Sequence, residues 1–281
     1  MPELPEVETV RRGLNRVTLN KPVRGGEVLL LRSIAYPDSV EDFWGGVTQA
    51  QIIQWQRRGK YLLANLSGPT GEAAGWLGVH LRMTGQLLWV PSTEPVTQHC
   101  RVRLVLGDRE LRFVDQRTFG RLWWVPPGQR PETIMTGLAK LGPEPFELGF
   151  SPEYLYQATR HRSRPIKNAL LDQRLVAGIG NIYADESLFI SGIRPDIPSG
   201  RLGRSRLTRL HGAVQQVLTA SIEAGGTTFS DFRDVHGVNG NYGGVAWVYD
   251  RKGEPCRTCQ TPIQRIKLAG RSSHYCPSCQ H

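Results

Sequence analysis

Four of the chain's five cysteines fall within its last 26 residues, as Cys256-x2-Cys259 and Cys276-x2-Cys279 with sixteen residues between the pairs. Two C-x-x-C turns offer two thiolates each, which is the donor set and the number that Zn²⁺ takes up in a tetrahedral structural site. Four protein ligands leave no open position, so such an ion is structural rather than catalytic. The intervening TPIQRIKLAGRSSHY reads as a β-hairpin that turns around Ala269-Gly270. His274 and His281 lie nearby, but a complete thiolate set does not need them. Cys100 stands apart and reads as a small buried apolar residue.

This tail is also basic, with Arg251, Lys252, Arg257, Arg265, Lys267 and Arg271 against Glu254. The whole chain of 281 residues has a formal charge of +10 and a pI near 9.7. Four thiolates with one Zn²⁺ lower that charge to about +8. The excess is uneven: residues 1–150 carry 18 Lys+Arg against 15 Asp+Glu, and residues 151–281 carry 17 against 10. Such a balance favours a polyanionic partner, most simply nucleic acid. A basic protein without that partner, or a zinc ribbon that docks proteins, is the plainer alternative. No run approaches the ~18 apolar residues of a membrane span. The first twenty residues contain acids and no apolar core, unlike a signal peptide. The expectation is a cytoplasmic monomer with no membrane association.

Residues 4–15, LPEVETVRRGLN, read as a helix. Pro5 suits the first turn, Glu6 and Glu8 the positive end of the dipole, and Val7, Val10 and Leu14 form an apolar stripe. From Val23 to Val125 the pattern becomes strands punctuated by Gly, Pro and Asp, as an antiparallel sandwich requires. Residues 126–132 and 141–153 read as connectors. Helical spacing follows in RPIKNALLDQRL, IGNIYADESLFISGI and SRLTRLHGAVQQVLTASIEA, and the Gly-rich stretch 226–244 reads as a mobile loop of functional length. The expected organisation is α+β and multidomain: a β-sandwich with an N-terminal helix over 1–142, a helical domain over 143–245, and the zinc finger over 246–281.

The middle segment carries its own signal. RHRSRPIKNALL places Arg160, Arg162, Arg164 and Lys167 within eight positions. Downstream, Gly178 and Gly180 allow a tight turn and Asn181 suits a helix cap. Two helices joined through exposed backbone N–H groups can hold a phosphate. Any helix–turn–helix packing could use the same turn; the basic run and the zinc tail favour the phosphate.

Taken in order along the chain, PELPEVET, RRGKYLL (57–63), HLRMTGQL (80–87), DQRTFGRL (115–122), GIGNIYADESLF (178–189), GGTTFSDF (225–232) and the segment from DRKGEPC onward resemble the bacterial formamidopyrimidine-DNA glycosylases over essentially the whole length. That resemblance implies a two-domain clamp with a helix–two-turn–helix domain and a zinc finger. It also implies excision of oxidised purines (8-oxoguanine, formamidopyrimidines) from double-stranded DNA, followed by strand cleavage. The nucleophile would be the amine of Pro2 after loss of Met1, and Glu3 the acid that protonates the opening sugar. Lys60 would contact the lesion's phosphate and assist β-elimination, and Arg271 would serve δ-elimination. Met83, Arg117 and Phe119 would fill the space left by an extruded base. His99, Arg162, Lys167 and Asn181 match backbone-contacting positions, and Glu6 a supporting one. Read without the family, Met83 and Phe119 would be core residues and Lys60 a surface lysine at a strand start. Two features depart from the pattern: Asp250 stands where glycine is common, and the 226–244 loop ends HGVNGNYGG. An oxidised-pyrimidine glycosylase of the same superfamily, or a catalytically silent zinc DNA-binding protein, are the competing readings.

Overall fold

The computed structural model describes residues 1–227 and 233–281. The chain divides into two compact units: Met1–Ala139 with Ala224–Asn241, and Lys140–Glu223 with Tyr242–His281.

In the first unit, helix α1 (Leu4–Val17) starts where Pro5 needs no N–H partner, and Glu6 Oε2 accepts from Glu3 N at 2.8 Å. Val7, Val10 and Leu14 are fully buried, each removal from water stabilising by roughly 1.5–3 kcal/mol. Strands β1 (Gly26–Val28) and β2 (Ile34–Tyr36) precede helix α2 (Val40–Val47). Then come β3 (Gln51–Arg58), β4 (Tyr61–Ser67), β5 (Ala73–His80), β6 (Gly85–Pro91), β7 (Cys100–Leu106), β8 (Arg109–Asp115) and β9 (Arg121–Val125). They form a four-stranded sheet, β1-β7-β8-β6, and a five-stranded sheet, β2-β9-β5-β4-β3. The two share one hydrophobic core with α1. In β7 the alternation is plain: Cys100, Val102, Leu104 and Leu106 are buried, the residues between them half-exposed. Asn15 binds α1 to β3 by accepting from Trp55 N (2.8 Å) and donating to Trp55 O (2.9 Å).

Two features differ from the sequence reading. The sandwich is not wholly antiparallel, because edge strand β2 pairs parallel with β9, Ile34 opposite Leu122. Residues 40–47 are a helix, not strand; Ser39 Oγ caps it from Asp42 N at 2.9 Å. Gly45 and Gly46 mask its pattern. Gly46 is needed because a Cβ there would lie 1.9 Å from the Trp124 ring. The connector after β9 holds two single-turn helices, α3 (Pro131–Ile134) and α4 (Thr136–Ala139). Of the 226–244 loop, residues 228–232 lie outside the described residues. Around them, Thr227 N donates to Glu6 Oε1 (2.8 Å) and Trp89 N to Val235 O (2.8 Å).

The second unit contains α5 (Pro152–Thr159), α6 (Ile166–Leu170), α7 (Asn181–Ile190) and the 20-residue α8 (Arg204–Glu223). Gly180 caps α7, and Asn181 is its first helical residue rather than its cap. Gly178 adopts φ +91°, the left-handed turn that glycine admits without strain. Strands β10 (Gln264–Leu268) and β11 (Arg271–Tyr275) form the cysteine-bounded hairpin, its two-residue turn at Ala269-Gly270 with φ +45° and +81°.

Candidate active site and nucleic-acid interface

Pro2 and Glu3 precede α1 and are both buried, Glu3 only 2% exposed. The first turn fixes them, since Glu6 receives the Glu3 N–H through one carboxylate oxygen and Thr227 N–H through the other. In the full chain Met1 makes the Pro2 nitrogen an amide, which is no nucleophile; removing Met1 frees a secondary amine there.

One turn along α1, Glu8 gathers Arg11 (2.7 Å), Arg12 (2.8 Å) and Arg57 (3.3 Å). Burial alone would raise its carboxyl, but hydrogen bonds from Arg11 and Arg12 and the charges of Arg11 and Arg57 hold it down at about 2. Arg57 also donates to Gly59 O at 3.1 Å, and so ties the helix to the turn that carries Lys60. Lys60 is buried, 6% exposed, against the reading of a surface lysine. Beside it His80 packs edge-on to Tyr61 at 4.5 Å. Burial, then the charges of Arg82 and Lys60, push the His80 imidazole down to about 3. Its neutral Nδ1 accepts from Arg82 N at 3.0 Å.

Met83 and Phe119 are 37% and 49% exposed, although both are core residue types. The Arg117 guanidinium lies 5.1 Å from the Phe119 ring centroid, and Arg117 N donates to Thr84 Oγ1 at 3.0 Å, beside Met83. The structure thus brings these three together. His99 is half-buried, its Nδ1 3.3 Å from Arg101.

In the second unit the four cysteine sulfurs lie within 4.8 Å of one another, Cys256–Cys279 at 3.9 Å and Cys259–Cys276 at 3.4 Å. A tetrahedron of ~2.3 Å Zn–S bonds has edges of about 3.8 Å, so the donor set fits zinc. Behind it Cys256 and Cys276 pack with Phe189, Val248 and Ile263. Arg271 is exposed directly after the hairpin turn, and Arg162 is exposed in the turn after α5. Asn181 is half-buried, and its Oδ1 has no hydrogen-bond partner among the described residues. In the turn before it, Gly178 N–H is already taken by Gln173 Oε1 (2.9 Å).

Lys167 does not fit the backbone-contact expectation. Its side chain is 0% exposed, paired with Asp185 Oδ1 at 2.7 Å and donating to Ser272 O. Asp185 Oδ2 accepts from His274 N at 2.9 Å. A lysine sealed in this way cannot reach a phosphate; it locks β11, and with it Arg271, to α7. The sequence reading missed Glu8, Arg57, His80, Thr84 and Asp115. Each sits in or beside a quoted motif as an ordinary polar residue, and the contacts that join Glu8 to Arg57 and Thr84 to Asp115 span 49 and 31 positions.

Comparison with known proteins agrees with this arrangement. Residues 1–122 match the Formamidopyrimidine-DNA glycosylase N-terminal domain, 141–233 the H2TH domain of the same proteins, and 253–281 a zinc finger found in FPG and IleRS. A formamidopyrimidine-DNA glycosylase of Nostoc punctiforme is 63% identical over 281 residues, spanning 100% of this chain and 96% of that protein. One from Synechococcus is 64% identical, spanning 100% and 99%. A Lactococcus lactis FPG mutant in complex with Fapy-dG containing DNA superposes with a TM-score of 0.90 at 32% identity, covering 100% of both chains.

Proposed function

The chain belongs to the formamidopyrimidine-DNA glycosylase family, and from that premise we propose how its own residues work as a DNA glycosylase and AP lyase of base excision repair. The substrate is duplex DNA carrying an oxidised purine, 8-oxoguanine or a formamidopyrimidine. The protein acts as a monomer in the cytoplasm, at the nucleoid. Among the described residues no helix is long and apolar enough to cross a membrane. The four cysteines hold one structural zinc, which supplies the hairpin's fixed shape and no chemistry.

With Met1 removed, the Pro2 nitrogen attacks C1′ of the damaged nucleotide and the base departs. An α-amine titrates near ~8, far below lysine, so a good fraction is unprotonated at neutral pH. Glu3 gives a proton to the ring oxygen as the sugar opens. The resulting iminium has no N–H to lose and draws electrons from C2′, whose proton then leaves. β-Elimination breaks the C3′–O bond, and δ-elimination the C5′–O bond. Lys60 steadies the lesion's phosphate, and the planar, always-charged Arg271 serves the flanking phosphates during δ-elimination. His99, Arg162 and Asn181 track the backbone.

The exposed set of Met83, Arg117 and Phe119 carries this reading. Two exposed apolar side chains, one of them stacked by a guanidinium, suit the space that an extruded base leaves: a plug, a wedge and a partner for the orphaned base. Incubation with a duplex containing 8-oxoguanine opposite cytosine tests it. The expected product is a one-nucleotide gap with phosphates on both ends; base release without strand scission would contradict the proposed chemistry.

A further inference from the structure

The loops that carry Met83 (81–84) and Arg117 with Phe119 (116–120) are the crossovers β5→β6 and β8→β9, each passing from one sheet to the other. They leave the sandwich at the same end, because Gly85 pairs with Asp115 and His80 with Arg121. Both loops hold one non-glycine residue in the left-handed region, Arg82 at φ +57° and Thr118 at φ +58°. Such backbone persists only where its surroundings impose it.

Asp115, the last residue of β8, is what both loops share. It is 0% exposed. Its Oδ2 accepts from Gly120 N at 2.7 Å, and its Oδ1 accepts from Thr84 Oγ1 at 2.5 Å. The Thr84 hydroxyl in turn accepts from Arg117 N at 3.0 Å, so one carboxylate links the end of each loop to the other. The Asp115 backbone adds two ties, its N–H to His99 O (2.9 Å) and its carbonyl to Arg101 Nε (2.8 Å). Gly120 leaves room for this contact: a Cβ there would come within 2.3 Å of the Phe113 ring and 3.1 Å of Asp115 Oδ2.

We propose that Asp115, acting through Thr84, is a positioning residue that holds both loops in their wedge arrangement before DNA is met, and so sets the rate of base extrusion. The inference rests on the reading of Met83, Arg117 and Phe119 as fillers of the vacated space. Asp115 itself touches neither the sugar nor Pro2 in the proposed chemistry. Its contribution is preorganisation: two loops with apolar tips exposed do not have to be ordered at the moment of binding.

The test separates duplex excision from the amine chemistry. Single-turnover excision is measured on 8-oxoguanine duplex, and borohydride trapping on a single-stranded abasic oligonucleotide, which has no vacated stack to fill. Thr84→Val, nearly isosteric, and Asp115→Ala are compared with wild type, and Phe119→Ala reports on the filler reading by itself. Asp115→Ala should slow duplex excision about 100-fold and Thr84→Val about 10-fold, with trapping on the single strand kept within about 3-fold. Asp115→Asn, which keeps an acceptor for Gly120 N and can donate to Thr84, should recover part of the loss. Equal losses in both assays, or unchanged duplex excision in both Asp115→Ala and Thr84→Val, would overturn the proposal. Phe119→Ala with full duplex excision would instead remove the filler reading on which it stands.

Discussion

Within the first eight residues, where every residue from Pro2 to Glu8 is buried, the roles divide by place relative to the helix start. Pro5 and Glu6 build the first turn of α1, whereas Glu3 is its N-cap and Pro2 lies ahead of it, and the proposed mechanism brings these two to the sugar. Glu8, which looks like one more helix-dipole acid, is the hub of three arginines and the link to the Lys60 turn. Its carboxyl sits at about 2 against an ordinary 4.5, so the stability it contributes is complete above about pH 4.5. That stability is lost as the pH falls through about 2. Glu8→Gln should therefore lower stability by about 1 kcal/mol at neutral pH, a value already reduced for partial solvent screening. The gap between the variant's and the wild type's denaturation midpoints should narrow as pH falls below about 4.5. A gap constant from pH 7 to 3 would contradict the arginine hub.

At the scale of elements, the zinc hairpin, α1 and most sandwich strands could be read from spacing alone, because cysteine pairs and apolar alternation are local signals. Helix α2 could not: its eight residues include two glycines, and one of them, Gly46, is required by contact with Trp124, a partner nearly eighty positions away. The parallel β2–β9 pairing was hidden for the same reason, since an edge strand of three residues has no pattern to show its direction. At the site, Met83, Arg117 and Phe119 are singled out by the family resemblance alone, since by residue type Met83 and Phe119 read as core, and only the fold shows that Asp115 joins their loops. Lys167 shows the limit from the other side, because a lysine in a basic run looks like a phosphate ligand until its burial is known. Lys167→Met leaves the Asp185 charge buried and unpaired, at a cost of about 3–5 kcal/mol in thermal or denaturant unfolding. The salt dependence of DNA binding should be unchanged. A shallower salt slope, by about one unit, with stability intact would return Lys167 to the phosphate contacts.

For the whole molecule, the two units carry different parts of the work. The first holds the proposed amine and acid, Lys60 and the proposed base-space fillers, and the second the zinc-finger Arg271 and most of the net charge. Charge of this sign and distribution supplies sequence-independent affinity for DNA. Discrimination must then come from the energy of extruding a base, which is lowest at a damaged pair. In the proposed mechanism every step downstream of extrusion passes through one atom, the Pro2 nitrogen. Borohydride trapping on a duplex with 8-oxoguanine opposite cytosine, followed by peptide mapping of the crosslink, reads that atom directly. The chain lacking Met1 should give a reduced covalent adduct on the N-terminal peptide at Pro2, and a chain that retains Met1 should give none. An adduct mapped to Lys60, or trapping undiminished with Met1 in place, would contradict the account.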